Sequence, residues 1–387
     1  MNDLLTDPKQ QNLERVLALF FDHDALSKPQ VAELTGLSLP TVVGHIKELE
    51  SQGLLGRGEL LRSSGGRPAL SYHLCAEAYM ALGVEIRKSY VKMCLCDLRG
   101  QVRQMQIIET EYHDSPEYAI WLCDTVYQHL DKWHCLGETL VGVGVTLQAV
   151  VDKSGENITF SKIIPTAHFD VSALRSRLKA PVRLCHDVKC EAQAELWHNR
   201  EITNAIYVAL CEHLGGSLIY NRLIEHGRKG YAGAWEHMTM DPQGRQCYCG
   251  RRGCLETMCS TEALLQGESM NVFFNKLHQG EERYQQRWQT FLSILSRGLY
   301  QVWLILERRI ILGGDMALWL RDEDVASIEE QIRSQSTFTF QKGFVSKAVV
   351  HYHAAAIGAA LPFLAAYIPE HIRPIEPWES VPRQPVS

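Results

Sequence analysis

CYCGRRGCLET, residues 247–257, sets three thiols at the spacing C-x-C-x4-C, with Gly250 and Gly253 where the backbone has to fold back tightly. Three sulfurs this close in sequence can surround one ion, and His237, ten residues upstream in GAWEHMTMD, supplies a fourth donor. Three thiolates and one imidazole leave no open position for water. His237, Cys247, Cys249 and Cys254 therefore predict a structural Zn2+ site whose binding energy becomes folding energy. The other nine cysteines are scattered and read as small core hydrophobes, since nothing at the N-terminus resembles a secretion signal that would favour disulfides.

Outward from this motif, the pattern is one of strands alternating with helices. Residues 81–108 read as three strands with a turn at 98–101, followed by a helix over 116–132, a strand over 140–145 and a short hairpin. A helix over 169–178, a strand over 182–185 and a helix over 189–197 continue the alternation, which predicts an α/β sheet domain. Residues 354–368 form the longest weakly polar run, but Pro362 interrupts it and 15 residues are too few to span a bilayer, so a buried helix is expected. With 45% hydrophobic and 22% charged residues, and no apolar leader-like run at the start, the reading is of a folded cytoplasmic protein.

The first seventy residues follow a different plan. Leu13, Val16, Leu17 and Phe20 give helical spacing over 12–21, and Ser27 caps a short helix over 28–34. Gly36 makes the turn. Ser38 caps the next helix, Pro40 sits in its first turn, and Val42, Ile46 and Leu49 form its apolar stripe. This is the helix-turn-helix plan, and LTGLSLPTVVGHIKELESQGLL (34–55) resembles the winged helix-turn-helix of bacterial regulators. The outward positions of the second helix, Thr41, Val43, Gly44, His45 and Lys47, are candidates for base and phosphate contact. A wing is expected over 59–74, and Arg67 in Gly65-Gly66-Arg67-Pro68 is placed like an arm entering an AT-rich minor groove. The chain carries a net charge of −6, and residues 1–75 have seven Lys/Arg against nine Asp/Glu, so DNA contact must come from a local cationic face. The same helices in a protein-interaction bundle are the alternative.

CxCGxxGCxE preceded by a histidine loop, joined to a winged helix and a GRP arm, resembles the ROK family (repressors, open reading frames and sugar kinases), in its repressor branch responsive to glucose, N-acetylglucosamine and xylose. The resemblance spans nearly the whole chain. It implies a winged helix-turn-helix domain over 1–74, a two-lobed actin-like (ribonuclease H-like) ROK domain over 79–370 with a zinc loop at 237–256, and a tail over 371–387. It also implies a homodimer or homotetramer on a double-stranded DNA operator, and a sugar or sugar-phosphate effector held by His186, Asp187, Glu236, His237 and Glu256.

Departures from the family bear on activity. ROK kinases hold ATP phosphates with D-x-G-G-T and G-T-G-x-G-x-G loops, whose backbone N–H groups need room. The matching stretches here are Glu85-Ile86-Arg87-Lys88-Ser89 and Cys211-Glu212-His213-Leu214-Gly215-Gly216-Ser217. Asp187 matches the kinase base. Ala234 replaces the usual sugar-holding carboxylate of E-x-G-H, Glu236 adds one, and Leu147-Gln148 stands where relatives carry Pro-Gly. The expectation is a transcription regulator of carbohydrate metabolism, a repressor, excluded from catalysis by its altered loops; the alternative is an active ATP-dependent sugar kinase with an appended DNA-binding domain.

Overall fold

A computed structural model describes residues 7–61 and 68–378. Helices α1 (Pro8–Asp22), α2 (Lys28–Thr35) and α3 (Leu39–Ser51) pack with a small antiparallel sheet of β1 (Leu26–Ser27), β2 (Leu55–Leu61) and β3 (Ala69–Leu74), ordered β1-β3-β2. Local chemistry sets the helix starts. α1 starts at Pro8, four residues ahead of the expected start, where the Asp7 side chain accepts from Lys9 N–H at 3.0 Å, and at α3 Ser38 Oγ accepts from Thr41 N–H at 3.4 Å. Leu13, Val16, Phe20, Val31, Val42, Ile46 and Leu49 form the buried centre.

One expected surface residue faces inward. His45 follows Val42 by three residues, which puts it on the buried stripe of α3, and only 4% of it is exposed. Burial lowers its imidazole pKa. Thr41, Val43, Gly44 and Lys47 do lie on the exposed face. Arg67 lies outside the described residues.

Beyond the winged helix, two sheets repeat one plan. The first, ordered β10-β7-β4-β5-β6, contains β4 (Met80–Ile86), β5 (Tyr90–Asp97), β6 (Val102–Glu109), β7 (Leu140–Leu147) and β10 (Val182–His186). The second, ordered β13-β12-β11-β14-β15, contains β11 (Ala205–Leu210), β12 (Leu214–Tyr220), β13 (Leu223–Glu225), β14 (Arg309–Gly313) and β15 (Val345–Lys347). Each has an antiparallel run of three strands extended by two parallel ones. Helices α4 (Pro116–Lys132) and α5 (Ser172–Leu178) cover the first sheet; a hairpin of β8 (Val150–Val151) and β9 (Ile158–Phe160) hangs from it. The second lobe carries α7 (Glu256–Cys259), α8 (Thr261–Leu265), α9 (Met270–His278), α10 (Glu282–Leu306) and α11 (Asp322–Ser334). This is the α/β, two-lobed plan expected from the sequence. α5 starts three residues later than expected because the Asp170 carboxylate accepts from Ser172 N–H (2.8 Å) ahead of the helix.

Two helices join the lobes. α6 (Asp187–His198) is buried from Val188 to Trp197, and α12 (Ala354–Ala365), with Pro362 inside it, is buried throughout. They cross so closely that a Cβ on Gly358 would overlap the Cys190 carbonyl, so a side chain there would force the helices apart. Burying a helix with Lys189, Glu191 and Glu195 requires partners. Lys189 Nζ donates to the Gly230 carbonyl (2.8 Å), and Glu195 Oε2 accepts from Val349 N–H (2.7 Å). At the far end of α6, Trp197 Nε1 donates to the Arg99 carbonyl at 3.0 Å. The Arg99 guanidinium donates to the Phe20 and Phe21 carbonyls in the last turns of α1, at 3.0 and 2.9 Å. Residues after the last helix also pack: Arg222 donates to the Pro374 carbonyl, and the Arg183 guanidinium lies over the Trp378 ring. No helix among the described residues is long and apolar enough to cross a membrane.

Candidate functional site

The chain reversal from β10 into α6 places His186 and Asp187 at the mouth between the lobes. Asp187 Oδ1 accepts from Val188 N–H at 2.9 Å, and Arg87 Nη1 lies 3.1 Å from Asp187 Oδ2. Arg87, at the end of β4, also bonds through Nε to Glu85 Oε1 at 2.7 Å, while Lys92 Nζ from β5 holds Glu85 Oε2 at 2.8 Å. Burial alone would raise the Glu85 pKa, but Arg87 and then Lys92 more than offset it and hold the carboxyl at about 2. The stretch that stands where ROK kinases carry their first phosphate loop, and that the sequence reads as having lost it, is a buried ion cluster.

Above it opens a cavity of about 450 Å³. His186, Asp187, Glu236 and His237 line it, together with Gln148, Glu191, His213 and Tyr248. Three carboxyl groups, of Asp187, Glu191 and Glu236, face it, and the cations Lys162 and Arg251 line it as well. Burial pushes Glu191 up to about 8, with the Asp187 charge adding to it, and burial likewise pushes Glu236 up to about 8. Burial also lowers His186 to about 4. Glu236 Oε2 and Gln148 Oε1 are buried without a hydrogen-bond partner among the described residues, so the wall presents unused polar atoms.

Glu256, expected beside the others, does not line this cavity. Its Oε1 is 2.8 Å from His213 Nδ1 and its Oε2 accepts from Leu214 N–H at 2.6 Å, so the carboxylate is spent on the turn between β11 and β12. His213 was missed by the sequence reading. The signal was present, since a histidine stands where a phosphate loop needs glycine, but it registered there only as a lost glycine.

His237, Cys247, Cys249 and Cys254 come together, with ligand atoms all within 4.8 Å of one another. Cys249 Sγ to Cys254 Sγ is 3.7 Å and Cys247 Sγ to His237 Nδ1 is 3.6 Å. A tetrahedral ion with Zn–S near 2.3 Å and Zn–N near 2.0–2.1 Å requires S···S of about 3.8 Å and S···N of about 3.6 Å. The donor set fits such an ion. The loop that forms it is tightly wound: Gly253 has φ +64°, and a Cβ there would overlap the Asp241 carbonyl. The cluster is part of the cavity wall, because His237, Tyr248, Cys249 and Arg251 all face the space.

Comparison with known proteins bears on this arrangement. Over 267 residues the chain is 27% identical to the xylose repressor of Bacillus spizizenii, covering 66% of this chain and 67% of that protein. Over 266 residues it is 28% identical to the DNA-binding transcriptional dual regulator NagC of Escherichia coli, covering 67% and 64%. The match therefore spans about two thirds of these relatives. Among solved structures, a ROK family transcriptional regulator, a homolog of the E. coli MLC protein, superposes with a TM-score of 0.71 over 92% of this chain and 95% of that one, at 21% identity. A ROK family glucokinase from Streptomyces griseus, solved with glucose and AMPPNP, gives a TM-score of 0.62 over 73% and 98%, at 19% identity. At these identities the two structures speak to fold. The model of the ROK family matches residues 81–365, across both lobes, and the chain belongs to that family.

Proposed function

We propose that the chain is a sequence-specific, cytoplasmic transcription regulator of carbohydrate metabolism genes, a repressor, in which a sugar or sugar phosphate occupies the cavity and no phosphate is transferred. The observation that carries this reading is the Arg87–Asp187 pair. A sugar kinase needs its carboxylate free to take a hydroxyl proton and needs backbone N–H groups open to phosphate. Here a buried guanidinium sits 3.1 Å from that carboxylate, on the stretch that would be the first loop. The names of the relatives, repressors and a dual regulator, point the same way. Incubation with ATP and xylose, glucose or N-acetylglucosamine is expected to give no phosphoryl transfer above the protein-free background. Turnover that disappears in Asp187→Asn would overturn the reading.

DNA contact is assigned to the exposed face of α3, Thr41, Val43, Gly44 and Lys47, with Arg67 as a minor-groove arm; a homodimer would present two such heads to two half-sites. Selection from a random double-stranded pool is expected to enrich a palindrome, and failure to enrich any site would count against DNA binding. The His/Cys cluster is assigned to zinc in a structural role, shaping the cavity wall.

The route from cavity to reading head runs along α6. Asp187 is its first residue and Trp197 lies near its end, where the Arg99 turn grips the last turn of α1. A helix buried on all sides shifts as a unit, so lobe closure about Asp187 would move α1. The coupling needed is modest, about 1–3 kcal/mol. Arg99→Ala is expected to leave sugar affinity unchanged while bringing operator affinities with and without sugar to within about twofold of each other, by fluorescence anisotropy. An undiminished sugar response would remove this route.

A further inference from the structure

We infer that His213 forms an effector subsite of its own, which takes a neutral hydroxyl group in the space that the altered second loop leaves open; this rests on the cavity being a sugar site. Three observations converge. The ring lines the cavity at the β11–β12 turn. Its Nδ1 is fixed by the Glu256 carboxylate at 2.8 Å, which is itself anchored by Leu214 N–H. Its Nε2 is buried and has no hydrogen-bond partner among the described residues.

The Glu256 contact decides what Nε2 does. A carboxylate accepts, so Nδ1 carries the proton and donates; in the neutral ring Nε2 is then a lone-pair acceptor. Tyr248 holds the ring in plane by an edge contact, centroids 5.3 Å apart at 76°. A fixed, buried acceptor is costly to leave bare and selective for a donor. None of the cavity-lining residues on the turn, Cys211, His213, Leu214 and Gly215, is Lys or Arg; the cations of the wall, Lys162 and Arg251, stand off the turn in sequence. A phosphate would find no cation on the turn to offset its charge, whereas a hydroxyl donates to Nε2. The group selected is a sugar hydroxyl.

The test uses the full, zinc-loaded chain. Xylose, glucose, N-acetylglucosamine, maltose and cellobiose are screened by thermal shift, and the best binder is titrated calorimetrically against wild type, His213→Ala, His213→Gln and Asp187→Asn, each checked for wild-type zinc content and melting. His213→Ala is expected to bind about tenfold more weakly, and His213→Gln, whose amide oxygen still accepts, within about threefold of wild type. Among the singly deoxygenated analogues of that sugar, one is expected to bind wild type and His213→Ala equally, because the missing hydroxyl and the missing ring are the same contact. If both His213 variants bind as wild type while Asp187→Asn is weakened, the subsite is overturned and the cleft stands. If no sugar binds, or Asp187→Asn is also without effect, the sugar reading falls and the subsite with it.

Discussion

Stripping the metal from the cluster of His237, Cys247, Cys249 and Cys254 is expected to lower the melting temperature by roughly 10 °C and to abolish the response to sugar. The reason lies in what else holds the loop. Apart from a short turn of 3-10 helix at Trp235–His237, residues 237–255 form no helix or strand, only two isolated bridges, Thr239 to Cys254 and Gln246 to Arg252. Structural zinc contributes about 10–16 kcal/mol of apparent binding energy in isolated fingers. Here both lobes keep their own cores, so only the share that orders the loop is lost, several kcal/mol at about 2–4 °C each for a domain of this size. The cavity loses more than stability, because His237 and Cys249 are wall and cluster at once. Burial raises the thiol pKa of Cys247 and Cys254, so the metal must displace protons to bind, and occupancy should fall as pH falls. Elemental analysis should give about one zinc per chain. Scanning fluorimetry with and without a strong chelator, then with zinc restored, checks the rest; a metal-free chain that melts like the native one would refute the structural role.

How far the sequence could be read depended on the range of the forces involved. The start of α4 was legible because Ser115 Oγ accepts from Tyr118 N–H just before Pro116, a cap whose partners lie three residues apart. The metal cluster was legible for a similar reason, three of its donors falling within eight residues of chain. His45 was misassigned although the periodicity places it on the stripe of Val42 and Ile46: a histidine in a reading helix suggested contact, and polarity was given more weight than position. Glu256 and His213 lie 43 residues apart, and no local pattern announces their bond. Arg87 likewise signalled only a missing glycine. That its guanidinium finds Asp187, a hundred residues on, is a consequence of β4 and β10 flanking β7 in one sheet. Gly358 is a further case, because its requirement comes from a helix crossing and not from its own neighbours.

Replacing Arg87 by methionine is expected to cost about 3–5 kcal/mol at neutral pH, the usual penalty for removing one member of a buried charge network. Methionine fills much of the volume, so the loss is electrostatic: Glu85 keeps only Lys92, and Asp187 loses its cation. The pH dependence gives the sign. Glu85 is held at about 2 in the folded chain against an ordinary value of 4.5, so its contribution is fully present above about 4.5 and fades as pH falls toward 2. A depression of that size corresponds to about 3 kcal/mol. Without Arg87 the carboxyl is pulled back up by burial, so that in the variant the acid-induced loss of stability becomes shallower and starts from a lower plateau. Glu191 and Glu236 act in the opposite sense, each raised to about 8 in the wild type, so their contribution is present below about 4.5 and is lost as pH rises through 8; Arg87 holds Glu191 down, so in the variant Glu191 moves further up. Urea unfolding between pH 3 and pH 8 separates the two limbs. Glu85→Gln in the Arg87→Met background should recover part of the loss, since the stranded charge is gone, and the cycle should show non-additivity of at least about 1 kcal/mol. Strictly additive effects, or an unchanged acid limb, would mean that Arg87 is a surface cation with no hold on the cluster, and the case for a cleft closed to phosphate transfer would lose its physical basis.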